Sequence, residues 1–143
     1  MPLLKHELAI DLGTANTVIY QNDKVVLDEP SIVAINSRTG ALMAIGRAAQ
    51  LMEGRENPGI QTVRPLVSGV IADFNAAELM IKGFIQKASG AHSKLFTPSY
   101  KLVIGIPKGS TPVEIRAVRD SSEHAGGGEI GRASCRERVC LYV

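Results

Sequence analysis

The sequence predicts an α/β domain built around a mixed β-sheet, and three observations along its 143 residues support this. Short β-rich runs separated by turn residues fill the first half of the chain. A helical segment with one apolar stripe follows them, and a buried strand then leads into a second helical segment. The hydrophobic fraction of 45% provides enough apolar material for a core, which argues against a disordered tail protein.

Seven short segments in the first half are rich in β-branched or apolar residues and are bounded by turn formers. The first three form an opening meander, and the next two flank a turn-rich stretch and form a second hairpin. Pro65 separates the last two, and a short helix is expected at 47–52. The predicted strands are 7–11, 17–20, 24–27, 31–35, 41–45, 60–63 and 68–71.

The clearest helix signal lies at residues 74–88, where apolar side chains recur at the i, i+3, i+4 spacing of one buried stripe. Asp73 or Asn75 can cap its start, because short polar side chains accept hydrogen bonds from the unpaired N–H groups there. Gly90 can end the helix, and residues 91–99 are then expected to form a loop.

A second helix is predicted after a buried strand at 101–106 and a turn that follows it. Residues 111–114 read Thr-Pro-Val-Glu, which is the capping-box pattern with proline at the first helical position. The helix should therefore run from this point to about His124. A strand that leads into a helix after two hairpins indicates a mixed sheet.

Composition excludes several classes of partner. The 16 basic and 14 acidic residues are scattered along the chain, which leaves no positive patch for a nucleic acid. No apolar run approaches the roughly 20 residues that cross a bilayer, and residues 1–6 do not lead into a signal-peptide core. Cys135 and Cys140 are too few for a four-cysteine zinc site. We therefore expect a cytoplasmic protein.

The segment at 11–17, which reads Asp-Leu-Gly-Thr-Ala-Asn-Thr, lies between the first two predicted strands. Gly13 lets the backbone turn and present N–H groups to an anion, and the side chains of Thr14 and Asn16 add donors. Asp11 is suited to hold a metal-bound water, because Mg²⁺ keeps several waters and takes few protein carboxylates. The segment fits a nucleoside triphosphate with Mg²⁺, although the same residues are compatible with a plain turn capped by Asp11.

Two commoner phosphate-binding motifs are not supported. The sequence contains no Walker A pattern. A G-x-G-x-x-G match at Gly126, Gly128 and Gly131 follows a predicted helix rather than a strand. An acidic ribose partner about 20 residues further on would lie beyond the last residue given, so we attribute this match to chance.

The heptapeptide at 11–17 resembles the first phosphate loop of the actin, Hsp70 and sugar-kinase superfamily, and its Ala-Asn-Thr ending is typical of the MreB family of bacterial actin-like proteins. Further segments resemble that family in the same order, so the likeness extends from residue 7 to about residue 126. They are 28–35, 45–49, 63–66 with 69–74, 103–107 and 113–126.

The resemblance implies the actin-like, ribonuclease-H-like fold, of which this chain would be the N-terminal half: a mixed sheet with flanking helices and a small inserted subdomain. Residues 1–30 and 100–126 would form the large subdomain at the floor of a nucleotide cleft. Residues 31–99 would form the small subdomain and a connecting helix.

The resemblance also implies a site and a function. The family binds ATP with Mg²⁺, polymerises with itself, and organises the cell-wall elongation machinery at the inner face of the cytoplasmic membrane to maintain rod shape. The catalytic Glu, the second phosphate loop and the adenosine pocket of the family would lie downstream, so hydrolysis by this chain is not expected. The residues assigned to the phosphates are Gly13, Thr14, Ala15, Asn16 and Thr17, with Asp11 in the Mg²⁺ water shell.

Two alternatives stay open at this point. An Hsp70-like chaperone ATPase shares the superfamily loop but couples it to a peptide-binding domain. A sugar or acetate kinase uses the same cleft to transfer a phosphoryl group to a small substrate.

Leu95 and Phe96 are large apolar residues in a segment otherwise expected to face water. The simpler interpretation is a contact with a small satellite core. The resemblance instead implies a membrane wedge, because MreB proteins use a Leu-Phe loop in the small subdomain for this purpose.

The resemblance ends near Gly127, where the family would continue into a buried strand. Residues 129–139 look instead like the translation of a sequencing adapter. We therefore expect 127–143 to be a non-native tail without a strand pattern and with poor packing.

Overall fold

The computed structural model describes residues 6–55, 57–90, 100–107, 110–124, 131–134 and 138–142. The helices are α1 (Arg47–Gln50), α2 (Phe74–Ala88) and α3 (Pro112–His124). The strands are β1 (His6–Leu12), β2 (Asn16–Gln21), β3 (Lys24–Pro30), β4 (Val33–Asn36), β5 (Leu42–Ile45), β6 (Ile60–Val63), β7 (Leu66–Val67), β8 (Val70–Ile71), β9 (Tyr100–Pro107), β10 (Gly131–Ser134) and β11 (Arg138–Tyr142). These strands form a six-stranded sheet in the order β10-β11-β9-β1-β2-β3, a three-stranded sheet β5-β4-β6 and a two-stranded hairpin β7-β8.

The predicted meander is confirmed as the antiparallel run β1-β2-β3. Asn22 and Asp23 form the turn between β2 and β3 with φ angles of 51° and 61°, a left-handed conformation that Asn and Asp tolerate better than most residues. The predicted second hairpin is confirmed as β4 and β5, and β6 pairs with the other edge of β4.

The parallel pair of β1 and β9 makes the large sheet mixed, as predicted. Leu8 and Ile10 of β1 and Leu102 and Ile104 of β9 point to one face and are buried there. Helix α2 covers this face with its apolar stripe, whose buried residues are Ala76, Ala77, Met80, Ile81, Gly83, Phe84 and Ile85. One core therefore joins the large sheet to the long helix.

Helix α2 has the predicted bounds, and its ends show why. The Asp73 carboxylate accepts a hydrogen bond of 2.9 Å from the Ala76 N–H, so Asp73 rather than Asn75 is the cap. Gly90 follows the last turn with a φ of 60°, which glycine adopts at no steric cost. Within the helix, a Cβ on Gly83 would lie 2.9 Å from the Ile45 side chain, so β5 packs closely here.

The capping box of α3 is confirmed atom by atom. The Thr111 N–H donates to the Glu114 carboxylate at 2.7 Å, and the Glu114 N–H donates to the Thr111 hydroxyl at 3.3 Å. The helix ends at His124, whose Nδ1 lies 3.2 Å from the Glu78 carboxylate of α2. No helix in the described part of the chain is both long enough and apolar enough to span a bilayer.

One predicted strand was wrong in its bounds. Residues 68–71 do not form a single strand, because Ser68 and Gly69 have positive φ angles of 52° and 77°. They form the two-residue turn of a hairpin whose arms are β7 and β8. The missed strand β7 is only two residues long and directly follows Pro65, so it carries almost no periodic signal.

The expectation that no strand follows residue 127 was also wrong. Strand β11 pairs antiparallel with β9, and β10 pairs with β11 at the edge of the large sheet. Strand pairing uses backbone groups, and the sequence Val-Cys-Leu-Tyr at 139–142 is rich in β-forming residues. A segment of any origin can pair in this way if its residues tolerate an extended backbone, so the non-native origin of the tail stays a prediction.

Candidate functional site

The candidate loop lies at the carboxyl end of β1, beside the carboxyl end of β9. The two strands run parallel, with Asp11 opposite Gly105. Ligands of α/β sheets bind outside the carboxyl ends of parallel strands, where the following loops diverge. The start of α3 and the β7-β8 hairpin also reach this place. Together they border a narrow crevice that is lined by Leu12, Leu66, Gly69, Ile71, Gly105, Ser110, Glu114 and Val118.

The loop itself is a tight connection between β1 and β2. Gly13 lies against the first residue of β2, and a Cβ at this position would be 2.3 Å from the Asn16 carbonyl oxygen. Any other residue would therefore clash with backbone, which cannot rotate away as a side chain could. Thr14 and Ala15 form the exposed tip, as expected for N–H groups offered to a ligand.

The Thr14 hydroxyl connects the loop tip to the hairpin. It accepts a hydrogen bond of 2.7 Å from the Gly69 N–H. A threonine hydroxyl has one hydrogen in addition to its acceptor lone pairs. Accepting from Gly69 therefore leaves the Thr14 hydrogen available for donation to an anion outside the loop.

Asn16 contacts the end of β3. Its Nδ2 donates to the Asp28 Oδ1 at 3.0 Å on the protein surface. This hydrogen bond orients the amide, and a second hydrogen on Nδ2 remains as a possible donor to a ligand. The predicted donor role of Asn16 is thus compatible with its position.

Thr17 differs from the other predicted residues, because its side chain is fully buried. Its hydroxyl lies 2.8 Å from the hydroxyl of Ser31, which in turn donates to the Gly13 carbonyl at 2.7 Å. Ser31 has a single hydroxyl hydrogen and uses it for Gly13, so Thr17 must be the donor to Ser31. The Thr17 side chain therefore supports the loop from beneath and does not face a ligand.

Asp11 is partly exposed at the end of β1, where the resemblance implies a Mg²⁺ water shell. Mg²⁺ in nucleotide sites takes one or two protein carboxylates and completes its shell with waters and phosphates. One carboxylate beside a loop that can bind phosphate fits that requirement. Within the described ranges, no three His, Cys, Asp or Glu residues are grouped as ligands for a metal ion.

A distinct electrostatic pair lies away from the loop, between the turn after α1 and the end of β6. Arg64 donates two hydrogen bonds to the Glu53 carboxylate, at 3.0 and 2.9 Å. This hydrogen bonding lowers the pKa of the Glu53 carboxyl and raises that of the Arg64 guanidinium. The pair links the turn after α1 to the end of β6 at the protein surface.

Three residues of the site carried no functional prediction: Asp28, Ser31 and Gly69. Each contacts the loop from a distant part of the sequence, with separations of 12, 18 and 55 residues. Spacing could not reveal them, because none of them lies on the same element as the loop. The proposed membrane residues Leu95 and Phe96 lie outside the described residues.

Comparison with known proteins places this geometry in a family. The family model described as MreB/Mbl protein matches residues 5–133. The chain is 45% identical over 133 residues to the cell shape-determining protein MreB of Pasteurella multocida, covering 90% of this chain and 37% of the relative. It is 42% identical over 126 residues to the cell shape-determining protein Mbl of Bacillus cereus, covering 87% of this chain and 37% of the relative.

Solved structures agree with this placement. MreB5 of Spiroplasma citri bound to ADP superimposes with a TM-score of 0.72 at 33% identity, over 89% of this chain and 37% of that one. A MamK double helical filament superimposes with a TM-score of 0.67 at 17% identity, over 85% of this chain and 38% of that one, which shows the shared actin-like fold alone. The chain thus spans a little over a third of the length of these relatives. It belongs to the MreB/Mbl family.

Proposed function

We propose that the protein containing this chain is a cytoskeletal ATP-binding protein that assembles into filaments and maintains cell shape. One observation supports nucleotide binding most directly. The loop at 13–16 presents an exposed tip at the carboxyl ends of two parallel strands, in a chain of the MreB/Mbl family. The Spiroplasma citri MreB5 relative is known bound to ADP and to AMPPNP, and we extend nucleotide binding to this chain.

In this proposal the loop contributes donors and the strand end contributes a carboxylate. The N–H groups of the loop and the hydroxyl of Thr14 bind the phosphates, and the Asn16 amide adds a further donor. Asp11 holds a water of the Mg²⁺ shell, where the cation would offset the negative charge of the phosphates. Gly13 allows the close approach of the backbone that this geometry needs.

We propose that the partners of the whole protein are copies of itself, the inner face of the cytoplasmic membrane and the cell-wall elongation machinery. Membership of the MreB/Mbl family supports the cell-shape role, and it removes the reasons to prefer an Hsp70-like chaperone or a sugar kinase. We further propose that the strands β1–β3 and β9 belong to the large subdomain, and that β4–β6 belong to the small one.

The test compares two glycine variants of the complete gene product. Gly13→Ala would place a Cβ 2.3 Å from a backbone oxygen of the loop, whereas Gly59→Ala would meet only a side-chain oxygen of Asn57 at 3.5 Å. Binding of ATP with excess Mg²⁺ is measured by equilibrium dialysis, and assembly is measured by sedimentation. We expect Gly13→Ala to lose both activities and Gly59→Ala to keep both.

Two results would contradict the proposal. The wild-type protein could fail to bind ATP, or it could bind ATP and remain unassembled with and without nucleotide. Phosphorylation of an added sugar or acetate, measured in the same preparation, would support the kinase alternative instead.

A further inference from the structure

We propose that Ser31 is a positioning residue of the phosphate loop, which turns two loop carbonyl groups inwards and thereby directs two loop N–H groups towards the ligand. The inference rests on the proposed nucleotide binding. Ser31 lies outside the loop and would act by fixing the loop's shape, without binding a phosphate itself.

Ser31 is fully buried and makes three polar contacts, with the loop and with β2, the strand that follows it. Its backbone N–H donates to the Ala15 carbonyl at 2.8 Å. Its hydroxyl donates to the Gly13 carbonyl at 2.7 Å and accepts from the Thr17 hydroxyl at 2.8 Å. One residue, placed between β3 and β4, thus contacts the loop at both sides of its tip.

The two carbonyl contacts have a geometric consequence. The described part of the chain contains no cis peptide bond, so the C=O and the following N–H of each peptide unit point in opposite directions. The Gly13 carbonyl points towards Ser31, and the Thr14 N–H therefore points away from it. By the same reasoning, the Ala15 carbonyl contact turns the Asn16 N–H away from Ser31. Two N–H groups on one side of a turn are the arrangement that attracts an anion.

The hydroxyl contacts form a directed chain that holds this arrangement. Thr17 donates to Ser31 and Ser31 donates to Gly13, and both side chains are fully buried. Hydrogen bonds in such a low-dielectric interior strengthen each other. Removing the middle member takes the acceptor from the buried Thr17 hydroxyl and the side-chain donor from the Gly13 carbonyl. Without the Ser31 hydroxyl, the Gly13–Thr14 peptide unit is free to rotate towards another acceptor or donor.

Ser31 is itself fixed by the residues that surround it. Glu29 is buried, accepts a hydrogen bond of 3.0 Å from the Arg47 N–H at the start of α1, and pairs with Lys87 near the end of α2. On the other side, the Ile32 N–H donates to the Pro30 carbonyl at 2.9 Å. The segment 28–31 therefore contacts both helices through Glu29 and contacts the loop through Ser31 and Asp28.

The test needs a variant that loses the hydroxyl and a control with the same loss elsewhere. Ser31→Ala removes one oxygen and adds no atoms, so it introduces no clash. Ser122→Ala is the matched control, because Ser122 is also fully buried and donates to a backbone carbonyl, that of Val118 at 2.6 Å, within α3. Both are made in the complete gene product, and thermal melting compares their stability.

Equilibrium dialysis with labelled ATP and labelled adenosine, each with excess Mg²⁺, provides the readout. We expect Ser31→Ala to raise the Kd for ATP about tenfold, because a misdirected peptide unit loses a charge-assisted hydrogen bond to phosphate. The Kd for adenosine should change less than twofold, since adenosine has no phosphate to contact the loop. Ser122→Ala should leave the Kd for ATP within about twofold of the wild type, even where the melting temperatures of the two variants fall equally.

The outcomes separate the two proposals. If the wild-type protein binds ATP and Ser31→Ala binds it equally well, the role of Ser31 is refuted and the proposed function stands. An equal loss of ATP and adenosine binding, or an equal loss in both serine variants, would also refute a positioning role. Failure of the wild type to bind ATP would overturn the proposed function together with the inference built on it.

Discussion

The Thr14 hydroxyl accepts a hydrogen bond of 2.7 Å from the Gly69 N–H, although 55 residues separate them in the sequence. The contact joins the tip of the loop at 13–16 to the turn of the β7-β8 hairpin. Gly69 has a φ of 77° and follows Ser68 at 52°, so the turn itself is a conformation that few residue pairs adopt. The loop and the hairpin therefore define each other's positions.

Replacing Thr14 by valine should weaken ATP binding. Valine has the same shape but neither accepts from Gly69 nor donates to phosphate, so we expect the Kd for ATP to rise about tenfold. Thr39→Val is the control, because the Thr39 hydroxyl accepts from the Ala41 N–H at 3.3 Å in an exposed turn far along the chain. Titration of both variants with ATP and Mg²⁺ measures the Kd for ATP. An unchanged Kd in Thr14→Val would disprove the role of this hydroxyl.

The Glu53–Arg64 pair should make the folded protein less stable at low pH. The hydrogen bond from Arg64 lowers the pKa of Glu53 below its ordinary value of 4.5, so this carboxylate stabilises the folded state above that pH. Its contribution is lost as the pH falls below 4.5 and through the lowered pKa, because the folded state then takes up the proton. The difference in melting temperature between the wild type and Glu53→Gln should be larger at pH 6 than at pH 3.

Both partners of that pair are surface residues, so the effect should be small. Moderate salt should reduce it further, since screening weakens exposed charges. A difference between the two proteins that stayed constant from pH 6 to pH 3 would show that the ion pair is not its source.

Filaments of the complete gene product should bind anionic phospholipid vesicles through Leu95 and Phe96. Burying two such side chains supplies about 3 to 6 kcal/mol before ordering costs, so single subunits bind weakly and filaments bind through avidity. We expect the double change to serine to abolish co-flotation with vesicles. Leu51→Ser is the control, because Leu51 is also a large apolar residue, is 74% exposed, and lies outside the segment 91–99 that contains Leu95 and Phe96. Equal flotation of the Leu95/Phe96 double variant and the wild type would rule out this contact.

The residues after about 127 should prove foreign to the gene. Sequencing of the source locus across the codon for Gly127 is expected to reveal an open reading frame that continues into the buried strand implied by the resemblance. The family match ends at residue 133, close to this point. Intact genomic DNA that encodes residues 129–143 as given would refute this, and the β9-β11 pairing would then be a native feature.

Much of the fold was predictable because it depends on local patterns. The α2 helix was predicted with its observed bounds, since a 15-residue apolar stripe, an Asp cap and a glycine end all indicate the same segment. The opening meander was equally predictable from its turn residues. The errors fell where local signals are weak or not specific, at the two-residue strand β7 and in the tail, whose strands are held by backbone pairing.

The candidate site was predictable in part. Gly13, Thr14, Ala15 and Asn16 follow from one contiguous motif, and the structure places all four at the turn between β1 and β2. The buried position of Thr17 was not predictable, because alternation along a strand shows which residues share a face but not which face is covered. Its burial follows from the packing of the residues around Ser31 against the loop.

The sequence by itself determined the order of most of the elements up to α3, the position of the candidate loop, and the family to which the chain belongs. These depend on residues that are neighbours along the chain, whose spacing reflects the periodicity of helices and strands. Only the tertiary structure decided that Asp28, Ser31 and Gly69 hold the loop in shape. Their contacts depend on parallel and antiparallel pairing across long separations, and no local pattern encodes which distant backbone groups will meet.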